Sequence, residues 1–287
     1  MTTTTDRAAL TCALPMFKSG GIGWLALESL CRQRDIDFEW ELIVCEERRP
    51  RLHRFENNYA MGEAAVREYE SRLADVGCRT PITYTSLRKW VPLSDKWAMM
   101  SENANSDGLL LVAADCYSQP RRLVESHRLF QGGAEWIQSP LGPFYDIVSD
   151  IVAIYDYELS TCRAALNMGI RTDVLKGAPH AGKRSGVDNW MFGHATERLG
   201  RIPVVGVNTE PSWSDGVDTH GMNNISRYRG KMLGRGLIPH DDGSPRATAP
   251  WRPPHDGEPK RIDDCVPADI ADRLRSLQSL AERRNFA

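Results

Sequence analysis

The chain of 287 residues carries 41% hydrophobic residues, enough for one α/β domain with a sizeable core plus a tail, and too many for a chain disordered throughout. Its formal net charge of −2 gives no global electrostatic case for a nucleic-acid or membrane partner, although a local basic patch remains compatible with it. No apolar run nears the ~20 residues of a membrane span, and the threonine-rich start Met1–Asp6 lacks the regions of a signal peptide, so a cytoplasmic protein is expected. Seven scattered cysteines with no CxxC pair read as reduced thiols, mostly in the core.

In chain order, Ala8–Pro15 reads as a buried strand, and Trp24, Leu27, Leu30 and Cys31 mark a helix after Gly20, Gly21 and Gly23. Phe38–Cys45 reads as a second strand, ending at Glu46 and Glu47. Strand, helix and strand within this span predict a βαβ unit with a parallel pair. Glu63–Ala74 reads as a helix, Ile82–Ser86 as a strand, and Leu93–Asn105 as a helix with Ser94 as its N-cap. Gly108–Ala113 is the most apolar strand and stops at Ala114-Asp115; Pro120 then opens a helix over Arg121–Leu129. Such alternation predicts an open, mostly parallel sheet flanked by helices, with ligands beyond the carboxyl ends of its strands. Further on, Glu135–Gln138, Ile147–Ile154 and Ile202–Val207 are candidate strands, Asp188–Leu199 a helix, and Gly216–Gly221 a polar loop. Ser244–Asp264 is proline-rich and irregular, and Ala268–Arg284 is an amphipathic helix.

The stretch Leu109–Leu123 (LLLVAADCYSQPRRL) delivers an aspartate to the end of an apolar strand, followed by an aromatic and a proline. This resembles the metal-binding segment of GT-A-fold glycosyltransferases, in particular the family-2-like group of inverting, nucleotide-sugar-dependent enzymes. There the pattern is D-x-D-D: Asp115 matches the second aspartate, Ala113 replaces the first, and Cys116 replaces the trailing one. The resemblance implies an open mixed sheet, mostly parallel, with a C-terminal helical and irregular extension. It spans about residues 8–225 and divides the chain into a catalytic domain 1–235, with a donor half 8–130 and an acceptor half 131–235, and a tail 236–287.

On that resemblance Asp115 holds a divalent cation, Mn²⁺ or Mg²⁺, that bridges the diphosphate of the donor, with UDP the expected nucleotide. Charge builds on a departing nucleoside diphosphate, and a hard cation held by carboxylate oxygens stabilises it without a proton. Pro15, Glu46 or Glu47, Lys96, Asn103 and Ala114 complete the implied donor site; a carboxylate suits a uracil N–H or ribose hydroxyls. His220, in the polar stretch Asp218–Asn224, is the implied late metal ligand. Asp188 takes the place of the general base that receives the acceptor's proton. Trp190, Lys183, Arg184 and Asn223 are its candidate acceptor-binding neighbours. The bland alternatives are a loop charge for the glutamates, a solvated helix for Lys96 and a helix N-cap for Asp188.

Three functions fit these residues. One is a glycosyltransferase whose acceptor is a glycan, a small molecule or a modified DNA base, the last suggested by the basic, tyrosine-containing stretch Arg227–Arg235 with Lys183-Arg184. A second is a nucleotidyltransferase of similar fold, for which Lys18–Gly23 would be a weak phosphate loop. The third is a non-catalytic nucleotide- or glycan-binding module, to which Ala113 points. No membrane span is expected, and the oligomeric state is open.

Overall fold

The computed structural model describes residues 7–17, 19–48, 60–139, 141–147, 150–156, 168–183, 187–207, 217–220, 251–252 and 261–279. Its frame is a seven-stranded sheet built from β1 (Leu10–Phe17), β2 (Trp40–Glu47), β3 (Thr83–Leu87), β4 (Gly108–Leu111), β6 (Trp136–Gln138), β9 (Gly169–Arg171) and β10 (Val205–Val207). The spatial order is β10-β6-β9-β4-β1-β2-β3. β3, β2, β1 and β4 are parallel neighbours, as are β10 and β6; β9 is antiparallel to both β4 and β6. The expected open mixed sheet is therefore present. A second sheet, ordered β12-β8-β7-β11-β5, comprises β5 (Cys116–Tyr117), β7 (Leu141–Asp146), β8 (Ile151–Asp156), β11 (Val217–His220) and β12 (Trp251–Arg252).

Strand periodicity divides the core. Leu10, Cys12, Leu14 and Met16 of β1 face a layer containing α1 (Trp24–Leu30), α2 (Glu63–Arg67), α3 (Glu70–Ala74) and α5 (Arg122–Gln131). Ala13, with Ile43, Cys45, Leu109 and Leu111, faces α4 (Leu93–Asn103), α6 (Thr172–Leu175) and α7 (Val187–Leu199) on the other side. With both faces covered, the strands are continuously apolar, the pattern that made Leu109–Val112 legible. A third cluster joins Ile22, Trp24 and Leu25 to Tyr117, Tyr145 and Val152 of the second sheet and to α8 (Ala268–Ser276).

Several expected elements differ in detail. The helix expected over Glu63–Ala74 is two short helices, broken at Glu68-Tyr69. The candidate strand Ile147–Ile154 overlaps only the start of β8, which begins at Ile151 and pairs antiparallel with β7, and Asp150 just before it takes a φ of 54°. The polar loop expected at Gly216–Gly221 contains β11: backbone pairing with β5 and β7 overrides the weak strand propensity of Asp218. β9 went unread because three residues are too few for periodicity. Its Gly169 is tightly packed: a Cβ there would lie 2.8 Å from the Leu110 side chain and 3.1 Å from the Phe130 ring, so those side chains would have to shift. The expected boundary at 235/236 lies outside the described residues; beyond it, β12 pairs with β8, and α8 packs into the third cluster.

Candidate active site

The carboxyl ends of β1, β2 and β4 form one edge of the large sheet, and most of the candidate donor residues gather there. β1 and β4 pair only from Leu10↔Gly108 to Ala13↔Leu111. Val112 then donates to Ala13 O (2.9 Å), and β4 departs. Residues two apart on a strand direct their backbone groups to the same side, so Pro15 lies on the side that β4 has just left. A missing N–H costs no ladder bond at that point.

Glu46 and Glu47 point to opposite faces, as successive strand residues must. Glu46 is fully buried and engaged by its own chain. Its carboxylate accepts from the backbone N–H of Met61 (2.7 Å) and Gly62 (2.8 Å), from the Tyr84 hydroxyl (2.6 Å) and from Ser19 Oγ (3.4 Å). These donors make Glu46 a clamp that holds the start of α2, β3 and the glycine turn to β2. Burial and the adjacent carboxylate push the Tyr84 phenol well above its ordinary range. Glu47 faces α4, where Lys96 Nζ lies 2.7 Å away; both side chains are almost fully enclosed. Val91 N–H also donates to Glu47 (3.2 Å), and the Lys96 ammonium lies 5.6 Å from the centre of the Phe17 ring.

Asn103 is a correction. It sits at the far end of α4, exposed, with its amide donating to Met99 O (2.9 Å). Seven residues of helix separate it from Lys96, about 10 Å at 1.5 Å per residue, and carry it toward the opposite edge of the sheet. Residues on one helix face need not lie at one end of it, and the sequence pattern fixed only the face.

The loop after β4 carries Ala114, which is buried, and Asp115, which is half-buried. Desolvation pushes the Asp115 carboxyl up from its ordinary 3.8 to about 6. Two residues that the sequence reading passed over brace this loop. Arg122, 2% exposed, donates to Leu111 O (2.6 Å) and to Ser118 Oγ (2.8 Å). Gln33 donates to Gln119 O (2.8 Å) and accepts from Leu123 N–H (3.0 Å). The only sequence signal for Arg122 was a cation in an otherwise core-facing first turn.

The second sheet brings β11 beside the same loop. β11 runs antiparallel to β5 with Asp218 opposite Cys116, the residue that follows Asp115. On its other side His220 is in register with Asp146, a fully buried carboxylate at the end of β7 that the sequence analysis did not single out. Among the described side chains no three of His, Cys, Asp and Glu converge as a preformed metal cage.

On the acceptor side, Asp188 occupies the first turn of α7 and is half-buried. The chain just before α7 is tied to the start of α4. Lys183 N–H donates to Ser94 Oγ (3.0 Å), Ser94 N–H to Lys183 O (3.4 Å), and Gly182 N–H to Asp95 Oδ1 (3.0 Å). These bonds bring the N-terminal ends of α4 and α7 together at the edge that holds Glu47 and Lys96. The Lys183 side chain is exposed; Trp190 is half-buried, with its ring stacked 5.9 Å from that of His194. Arg184, Asn223 and the basic stretch Arg227–Arg235 lie outside the described residues.

The glycine turn read as a candidate phosphate loop is internally bonded: Ile22 and Gly23 both donate to Ser19 O. A Cβ at Gly23 would lie 2.4 Å from Met16 Cε and 2.9 Å from Ser19 O, so packing explains the glycine without a ligand.

No family model matches the sequence, and no curated protein matches it. Solved structures do. TarS 1–349 of S. aureus in complex with UDP aligns with a TM-score of 0.52 at 12% identity, covering 74% of this chain and 60% of that one. The mannosyltransferase PcManGT from Pyrobaculum calidifontis, in complex with GDP-Man and Mn²⁺, aligns with a TM-score of 0.51 at 11% identity, covering 79% and 61%. The protein thus has the GT-A fold and spans about three-fifths of the length of these similar structures.

Proposed function

We propose that the protein is a glycosyltransferase that moves a sugar from a nucleotide-sugar, with UDP as the expected nucleotide, to an acceptor hydroxyl with inversion. The observation that carries this reading is the Asp115 carboxylate: desolvated, in a loop braced by Arg122, and placed just past a central strand of a GT-A sheet. Solved structures with that fold hold UDP in one case and GDP-Man with Mn²⁺ in another.

Fit to a divalent cation follows from the donor set. Mg²⁺ and its like are commonly held by one or two carboxylates together with substrate phosphates, not by an all-protein cage. One desolvated carboxylate suits a cation that arrives with a diphosphate, whose oxygens supply further ligands. Asp115 would hold it, with His220 supplied from β11; Ala113 leaves the first position of the motif without a ligand. When bound, the cation neutralises charge on the leaving diphosphate. Lys96 and Glu47 build the floor under the nucleotide, and Pro15 leaves the gap beside β4 open. Asp188 accepts the acceptor's proton as its oxygen attacks the anomeric carbon.

The nucleotidyltransferase reading is weakened by the Ser19–Gly23 turn, whose amides at Ile22 and Gly23 already have a carbonyl partner. The acceptor is a hydroxyl compound, and a glycan is the class favoured below.

Thermal melting with UDP and Mn²⁺ tests the donor site. A ligand at about 100 times its Kd adds about 2.7 kcal/mol, or roughly 2–4 °C per kcal/mol for a chain of this size. The shift with UDP plus Mn²⁺ should exceed that with UDP alone, and Asp115→Asn should abolish the difference. The same variant should melt higher than the parent without ligand. A carboxyl whose folded pKa of about 6 exceeds its ordinary 3.8 weakens the fold above pH about 6, and that cost disappears below pH about 4. Asp188→Asn should spare UDP binding and lower turnover by about 10²–10⁴-fold. Absence of any nucleotide-dependent shift would sink the proposal, and a product that keeps the donor's configuration would remove the base from Asp188.

A further inference from the structure

A pocket on the outer side of α7 lies apart from the residues assigned to donor and cation. Its volume is about 500 Å³, and Pro179, His194, Glu197 and Arg198 line it. That volume falls within the range of small-molecule sites, about 300–1,000 Å³.

Two lining groups, Glu197 and Arg198, have hydrogen-bonding capacity that the described residues leave unused. His194 contributes its ring: Nε2 is shut off from solvent, and the imidazole ring stacks on that of Trp190 one turn earlier. Among the described residues, neither Glu197 nor Arg198 has an ion-pair partner, and both are exposed. The surrounding ion pairs go elsewhere: Arg201 to Glu135, Arg171 to Asp173.

The mixture of groups selects a ligand class. Arg198 alone would suit an anion, but the adjacent Glu197 carboxylate repels one. A carboxylate only accepts and a guanidinium only donates. Groups that both donate and accept satisfy both of these walls, and vicinal sugar hydroxyls are such groups. The Pro179 ring and the imidazole offer flat apolar surfaces for the C–H face of a sugar ring. Location adds the rest: Asp188 begins the same helix, and nine residues at 1.5 Å put Glu197 about 14 Å along it.

We propose that this pocket binds a neutral sugar unit of an oligosaccharide, as a remote subsite for the acceptor whose reacting end lies at Asp188. The assignment to the acceptor rests on the glycosyltransferase reading; sugar binding itself does not.

The test is calorimetric titration of the full chain with neutral trisaccharides of glucose, galactose, mannose and N-acetylglucosamine, and separately with inorganic phosphate. At least one trisaccharide should bind. Glu197→Ala and Arg198→Ala should each weaken it about tenfold or more, the loss expected of a hydrogen bond to a charged group. Both should leave the melting temperature and the UDP-dependent shift unchanged, which separates a lost contact from a damaged fold. Failure of every trisaccharide, indifference to both substitutions, or displacement of the sugar by phosphate would overturn the proposal. Sugar binding without any UDP shift would uphold the pocket and overturn the glycosyltransferase reading instead.

Discussion

Lys96 shows how a candidate donor-site residue can be structural first. Its ammonium is 2.7 Å from Glu47, and both side chains are almost fully enclosed. Removing one partner of a buried pair leaves the other charge desolvated, a cost of about 3–5 kcal/mol. Lys96→Met should therefore lower the melting temperature by more than 5 °C at the roughly 2–4 °C per kcal/mol expected here. Lys96→Met with Glu47→Leu should recover most of the loss, because the pair is replaced by packing groups. If the single variant keeps its melting temperature and loses only UDP affinity, Lys96 is a ligand contact and not a brace. Glu46 leans further toward structure, since four donors of its own chain surround its carboxylate.

At the scale of elements, α8 shows which interaction fixes a terminal helix. Several charge contacts are visible: Arg32 donates twice to Asp269, Arg275 pairs with Asp263 and Asp150, and Arg273 lies 3.7 Å over the Trp24 ring. Asp269 is nevertheless mostly exposed, and such pairs contribute about 0.2–1 kcal/mol. Ile270, Ala271 and Leu274 are buried against Trp24, Leu25 and Tyr117. A buried Leu→Ala change costs about 2–5 kcal/mol. Denaturant melts should accordingly show Leu274→Ala far more destabilised than Asp269→Ala. Equal losses would mean that the ion pairs hold α8. Asp150 links this helix to the second sheet: Tyr145 donates to it at 2.9 Å, and Arg275 approaches at 3.3 Å.

Across the whole molecule, stability should be graded from the sheet centre outward. β1 is hydrogen-bonded on both sides and enclosed by helices on both faces, whereas β10 is an edge strand with Val207 exposed. Native-state hydrogen exchange should find the amides of Cys12 and Leu14 among the slowest, opening only with global unfolding, and those of β10 among the fast ones. Comparable protection at β10 would imply that something covers that edge. The two sheets meet at the β4–β5 loop, so the site edge draws on both layers.

The sequence by itself determined the alternating core: continuous apolar runs such as Leu109–Val112, glutamates at the end of β2, and an aspartate past β4. Those signals are local, because a strand covered on both faces must be apolar throughout and a carboxylate must wait for its end. Helix α7 was legible locally as well, opened by Asp188, a common N-cap residue type, and closed by Gly200. Tertiary structure alone decided the rest. Asn103 lost its place at the site because a helix carries its far end away from the edge where it starts. β9 and β11 exist through pairing with strands distant in sequence, and no window of the chain records that pairing. Arg122, Gln33 and Asp146 acquired their surroundings only when β4, α1 and the second sheet closed around one loop. The roles of Glu46 and Glu47, neighbours with one chemistry, were separated by strand pleating, which turned one toward Tyr84 and the other toward Lys96.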